Sequence, residues 1–294
     1  MHRVVLIAVI LLCAAWPTRA DDAVTRGAYL AAAAGCQGCH TASGPGAVPY
    51  AGGHKLKTPK GTFYGPNITP DPVHGIGQWS EADFLRALRH GVRRDGAHLY
   101  PVFPYTSYTR ITDEDARALF AFLKSLPPAA QPNKPHEIPF PYNIRMGMAV
   151  WKWLHFKPGP MAPAAGVSPE RARGAYLVEA LGHCAECHTP RDWSGAIKPA
   201  MAFAGTKDGP EGKLVPNITP DPDTGIGGWS GKDIVYFLET GQLPDGDVTG
   251  SLMDEVIRHG TSKLTADDRQ AMAAYLQSLK PIVNKPKRDA PKAP

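Results

Sequence analysis

The chain has 294 residues, 43% of them hydrophobic and 20% charged, with a formal net charge of +5. This composition suits two ordinary globular domains and excludes a disordered or fibrous chain. Without Arg3 and Arg19 the charge falls to +3, too weak a field to point to nucleic acid.

Residues 1–20 read as a secretory signal: Arg3, the apolar run from Val4 to Trp16, then Thr18 and Ala20 as small residues before a cut. Val4 to Trp16 is too short to cross a bilayer comfortably. Cleavage before Asp21 and export to the periplasm are therefore expected. Cys13 leaves with this segment, and the four remaining cysteines fall in two C-x-x-C-H strings. No later stretch approaches the roughly twenty apolar residues of a membrane span, so the mature chain reads as soluble.

The second half restates the first at an offset of about 150 residues, which predicts two tandem units. Gly27-Ala28-Tyr29-Leu30, leading into the first cysteine string, returns as Gly174-Ala175-Tyr176-Leu177. Asn67 to Pro72 and Trp79-Ser80 return as Asn217 to Pro222 and Trp229-Ser230, and Ile111 to Leu126 returns as Leu264 to Leu279. Each half is expected to hold a helix entering C-x-x-C-H, a Pro/Gly-rich loop, a middle helix capped by Ser80 or Ser230, and a closing helix. Thr112 with Asp115 and Thr265 with Asp268 read as the closing caps. No alternating strand pattern is evident, so the fold class reads as all-α. The division expected is 21–127 for the first domain, 128–168 for a Pro-rich connector, 169–281 for the second domain and 282–294 for a disordered Lys/Pro tail. Within the connector, Asn143 to Phe156 reads as a short helix too apolar to be left in water, packing either across both domains or into one domain's core.

Cys36-Gln37-Gly38-Cys39-His40 and Cys184-Ala185-Glu186-Cys187-His188 match the attachment signal for c-type haem. The two thiols form thioethers to the vinyl groups and the adjacent histidine is the proximal iron ligand. A single C-x-x-C in an exported protein also fits a redox disulfide or half a zinc site. Two copies, each with His and each opening a duplicated unit, favour two covalently bound haem c groups.

The repeat, with NITPDP, GIG-x-WS and Tyr100-Pro101-x-Phe103-Pro104-Tyr105, resembles the cytochrome c subunits of bacterial membrane-associated dehydrogenases for alcohols, sugars and aldehydes, and their diheme relatives. The resemblance covers nearly the whole mature chain. It implies two class I cytochrome c domains whose first and last helices cross, with Gly27 and Gly174 allowing close approach to Phe122 and Tyr275. Well-known members carry a third haem and often a C-terminal anchor, and this sequence shows neither a third C-x-x-C-H motif nor an anchor-like apolar stretch. Pro66 and Pro216 are candidates for the carbonyls that fix the proximal imidazoles, the alternative being ordinary loop prolines.

On the distal side, alignment of the halves from Asp245-Gly246 and Asp95-Gly96 sets Met253 against Phe103. Met253 is the candidate sixth ligand of haem 2, its bland reading being a core methionine. Phe103 cannot bind iron, and no methionine occurs between Asp21 and Arg145. For haem 1 the candidates are His98, favoured for its place in the distal loop, Met146 or Met148 from the connector, or a vacant position shielded by Phe103. His54, His74 and His90 are weaker competitors. The expected function is electron transfer rather than enzymatic catalysis, from an exported dehydrogenase to a downstream cytochrome or terminal oxidase. A haem enzyme or gas sensor at an open haem 1, of the peroxidase kind, is the second reading, and a subunit held permanently on a catalytic partner through the apolar connector the third.

Overall fold

A computed structural model of the chain describes residues 19–161 and 165–287. The expected signal segment before residue 19 and the end of the tail beyond residue 287 lie outside the described residues. In the first half α1 (Arg19–Ala33) leads into a short turn, α2 (Cys36–His40), then a hairpin β1 (Lys55–Thr58) and β2 (Gly61–Tyr64). There follow α3 (Glu81–His90), the single turn α4 (Tyr105–Tyr108) and the closing helix α5 (Asp113–Ser125). After α6 (Gly147–His155), the second half runs α7 (Pro169–Ala175), α8 (Ala185–His188), α9 (Gly231–Thr240), α10 (Ser251–His259) and α11 (Ala266–Gln277).

The caps fall where the repeat sets them. Ser80 and Ser230 each accept from the backbone N–H three residues on, and Asp83 and Asp233 bond back to the cap N–H, so two orphan donors are satisfied at each helix start. Thr112 and Thr265 likewise accept from the backbone N–H of Asp115 and Asp268 at the starts of α5 and α11, though there the aspartates do not bond back to the cap. α1 packs along α5, and α7 along α11. Each crossing is closed over a glycine. A Cβ on Gly27 would lie 2.6 Å from the Phe122 Cβ, and one on Gly174 would lie 2.8 Å from the Tyr275 Cβ, both also running into a backbone carbonyl of the partner helix.

One offset between the halves has a local explanation. Nine residues separate Gly27 from Cys36 but ten separate Gly174 from Cys184. α7 continues as a π-helical stretch over Tyr176–Leu181, which absorbs one extra residue without changing the helix direction. The residue before the cysteine is left-handed in both halves, Gly35 at φ 61° and His183 at φ 40°.

The two halves are not beads on a tether. Leu30, Ala34, Tyr108 and Leu119 of the first belong to the same buried cluster as Leu177, Leu181, Phe203 and Met272 of the second, and fully burying one such aliphatic side chain contributes about 1.5–3 kcal/mol.

Three local features depart from expectation. The antiparallel hairpin pairs Lys55 with Tyr64 and Thr58 with Gly61; its four-residue strands, one carrying two lysines, are too short for a periodic signal. Thr62 also pairs with Glu137 of the connector. Residues 282–284, expected in a free tail, are tied down: the Ile282 carbonyl accepts from Asn217 and the Asn284 amide donates to the Ala204 carbonyl. Third, α6 does not bury its apolar stripe. It is held by Lys152, whose buried ammonium donates to the His90 and Gly91 carbonyls at the end of α3 and lies over the Tyr105 ring. Trp151 Nε1 donates to the Ser194 carbonyl on the other side. Lys152→Met, which leaves those carbonyls unsatisfied, is expected to cost about 2 kcal/mol and to expose residues near 150 to limited proteolysis. Unchanged cleavage there would mean that Lys152 is not the anchor.

Candidate functional site

The repeated Asn-Ile-Thr-Pro-Asp-Pro string builds a rigid loop beneath each cysteine turn. Asn67 Oδ1 accepts from the Thr69 N–H and hydroxyl, while Asn67 Nδ2 donates to the carbonyls of Ala129 and Gln131. Asn217 repeats this with Thr219, Ile282 and Asn284. The buried Asn and Thr thereby bind the strap that follows the closing helix to the loop that precedes the middle helix. The residue before each Asn then presents its carbonyl to a histidine: His40 Nδ1 lies 2.7 Å from the Pro66 oxygen and His188 Nδ1 2.9 Å from the Pro216 oxygen. A carbonyl can only accept, so Nδ1 carries the proton and Nε2 keeps its lone pair. Burial lowers the pKa of both imidazoles, against the opposing effect of the carbonyl bond. Neutral rings with a free Nε2 and a fixed orientation are what a metal-ligating histidine requires.

Burial pushes the Cys36 and Cys184 thiols up to about 12 and those of Cys39 and Cys187 up to about 11. A redox C-x-x-C depends on the opposite shift. Among the described residues no cluster of three or more His, Cys, Asp or Glu side chains is arranged to hold a metal ion, which argues against a zinc site built from these cysteines. Paired neutral thiols beside one oriented imidazole fit the donor set of covalently attached haem.

Both cysteine turns lie at the boundary between the halves. α10 packs on α2, and the charge of Glu255 reaches the Cys39 thiol. Reciprocally, Thr106 Oγ1 of α4 donates to Glu186 Oε1 at 2.5 Å, and Arg191 closes on the other oxygen of the same carboxylate. The Tyr108 hydroxyl donates to the Ala34 carbonyl and its ring meets His183 edge to face. Cys39 and Cys187 lie within electrostatic range of each other, so ionising one opposes ionising the other.

The sequence pattern of the Cytochrome c family matches residues 24–127 and 171–280. The chain belongs to the cytochrome c family. It is 44% identical over 263 residues to a diheme cytochrome c-type protein of Cereibacter sphaeroides, covering 88% of this chain and 86% of that one. It is 43% identical over 273 residues to the cytochrome c subunit of a quinone alcohol dehydrogenase of Komagataeibacter europaeus, covering 90% of this chain and 57% of that one. With the gluconate 2-dehydrogenase cytochrome c subunit of Pantoea cypripedii the identity is 43% over 272 residues, covering 89% and 60%. This cytochrome thus spans little more than half the length of the dehydrogenase subunits it matches. Its two family domains and its diheme relative establish two covalently bound haem c groups as its cofactors.

The distal candidates stand in different surroundings. Met253 lies half-buried in the first turn of α10. Phe103, at the matching place, packs edge to face on Tyr108. His98 pairs with Val92 through its backbone, as Val248 does with Gln242, and Val248 is 67% exposed. The His98 Nδ1 is 3.1 Å from Lys152 Nζ; an ammonium only donates, so Nδ1 accepts and Nε2 holds the proton. Met146 is exposed. Sequence reasoning did not single out Glu186, Thr106 or Lys152; these act between elements, where no periodic pattern marks them.

Proposed function

We propose that this chain is an exported electron-transfer cytochrome, taking electrons from a periplasmic dehydrogenase and passing them to a further cytochrome or a terminal oxidase. When bound, haem c supplies an iron that takes up and returns one electron. The observation that carries the reading is the meeting of the two C-x-x-C-H turns at one tightly bonded boundary, which suits a two-centre relay better than a substrate pocket. Cys36 and Cys39 are assigned to one haem and Cys184 and Cys187 to the other, with His40 and His188 as the proximal ligands and the Pro66 and Pro216 carbonyls orienting them. Residues 21–127 and 169–281 form the two haem domains, and 128–168 the connector.

Met253 is assigned as the sixth ligand of haem 2. His98 is the proposed sixth ligand of haem 1, on one condition: its contact with Lys152 must break and its Nε2 must lose the proton. A thioether holds iron at higher potential than a second imidazole, so the first domain faces the donor and the second the acceptor. The dithionite-reduced protein with both haems in place is expected to show no rapid carbon monoxide binding, and His98→Ala is expected to open haem 1 alone. Fast binding to one haem of the unaltered chain would overturn six-coordination.

A further inference from the structure

α6 is turned inside out. Its buried member is Lys152, and the opposite side carries Met146, Val150, Trp153 and Leu154 at i, i+4, i+7, i+8, the spacing of one helical stripe. All four face solvent, Met146 at 73% and Trp153 at 82% exposure. Phe140, Tyr142 and Ile144 continue the apolar surface at the approach to the helix. Trp193, 90% exposed, stands beside it, since Lys60 Nζ contacts both the Tyr142 hydroxyl and the Trp193 carbonyl.

The charge on this face is equally one-sided. The hairpin, residues 55–64, and the connector, residues 128–161, carry six cationic side chains besides the buried Lys152, against the single carboxylate of Glu137, and that carboxylate accepts from the Tyr64 hydroxyl. The whole chain has a net charge of only +5, so the remainder is slightly acidic.

We propose that this face is the seat by which the protein lies on an anionic phospholipid surface, with Trp153, Leu154 and Met146 dipping into the headgroup boundary and the lysines meeting lipid phosphates. The stripe stands on an exposed helix face. Lysine is depleted at protein–protein interfaces, whereas aromatic and aliphatic residues flanked by Lys and Arg are the composition of interfacial anchors. α6 has nine residues, and no described helix is long and apolar enough to cross a membrane, so the contact is with the surface of the bilayer. The proposal is independent of the haem ligands and of the electron-transfer partners.

The test is cosedimentation of the haem-loaded protein with protein-free vesicles, followed by haem absorbance. Vesicles of phosphatidylglycerol with phosphatidylcholine are compared with phosphatidylcholine alone, at low salt and at about 0.5 M salt. Binding is expected to the anionic vesicles and to fall with salt. It should weaken about tenfold for Trp153→Ser and about tenfold for Lys57→Glu with Lys134→Glu. All three side chains are partly or fully exposed, and an unchanged haem spectrum shows that each variant folds. Failure to bind anionic vesicles, or binding that survives both variants, would overturn the proposal. So would binding to native membranes that protease treatment abolishes, which would make the occupant a protein.

Discussion

Gly174→Ala is expected to lower the unfolding free energy by about 3 kcal/mol, and the melting temperature by roughly 6–12 °C. The added carbon would sit 2.6 Å from the Ala271 carbonyl carbon and 2.8 Å from the Tyr275 Cβ. Neither neighbour is the free end of a flexible side chain; both are fixed by the backbone of α11, so relief requires the two helices to separate. Gly27→Ala meets the same obstacle at Ala118 and Phe122. Separation at either crossing also disturbs Leu177 and Leu276 or Leu30 and Leu119, which are buried beside it. Gly228→Ala is the control, because a Cβ there meets nothing within 4 Å and needs no unusual φ; it should stay within about 0.5 kcal/mol of the parent. Thermal unfolding of the haem-loaded protein checks all three. A Gly174→Ala protein as stable as the control would show that the crossing is loose.

The helical frame and the cysteine turns are legible in the sequence because the duplication supplies an internal comparison. A glycine, a serine cap or an Asn-Ile-Thr string that returns after 150 residues marks a position with a structural task even where one copy would pass unnoticed. The hairpin at 55–64 is not legible in the same way, because its four-residue strands are too short for a periodic signal and no hairpin of equal length returns in the second half to mark it. α6 illustrates a different limit. Its composition reads as core, since Trp, Val, Leu and Met normally seek burial, and one lysine in the sequence does not announce that it will be the inward-facing residue. The decisive contacts, from Lys152 to the carbonyls of His90 and Gly91, join segments some sixty residues apart, and a single-sequence pattern carries no trace of them. The distal side of the first domain was open for the same reason. The comparison of halves found Phe103 opposite Met253, but only packing reveals that His98 is already engaged by Lys152.

Tyr29→Phe combined with Tyr176→Phe is expected to weaken the boundary between the halves, because these two residues form a reciprocal clasp. The Tyr29 hydroxyl donates to Asp268 Oδ2 at 2.6 Å and accepts from the Thr265 N–H. The Tyr176 hydroxyl donates to Asp115 Oδ2, also at 2.6 Å, and accepts from the Thr112 N–H. Each first-helix tyrosine thus completes the cap of the other half's closing helix, while Arg26 and Arg173 hold the same two aspartates from within their own halves. The arrangement is an isologous interface within one chain, with the same surface used twice in opposite senses. A hydrogen bond to a charged group contributes about 1.5–3 kcal/mol, and Asp115 and Asp268 lose one ligand each when the hydroxyls go. The double variant should therefore lose about 3–6 kcal/mol of stability. Its denaturant unfolding should separate into two steps as the halves uncouple. Single variants should each account for about half of the loss, since the two sites share no partner. The repeated Gly-Ala-Tyr-Leu string and the repeated Thr-x-x-Asp caps were both visible in the sequence; that each tyrosine serves the opposite half follows only from the folded chain. One cooperative transition at the parent's midpoint would show that the shared core around Leu177 and Leu30 couples the halves without the clasp.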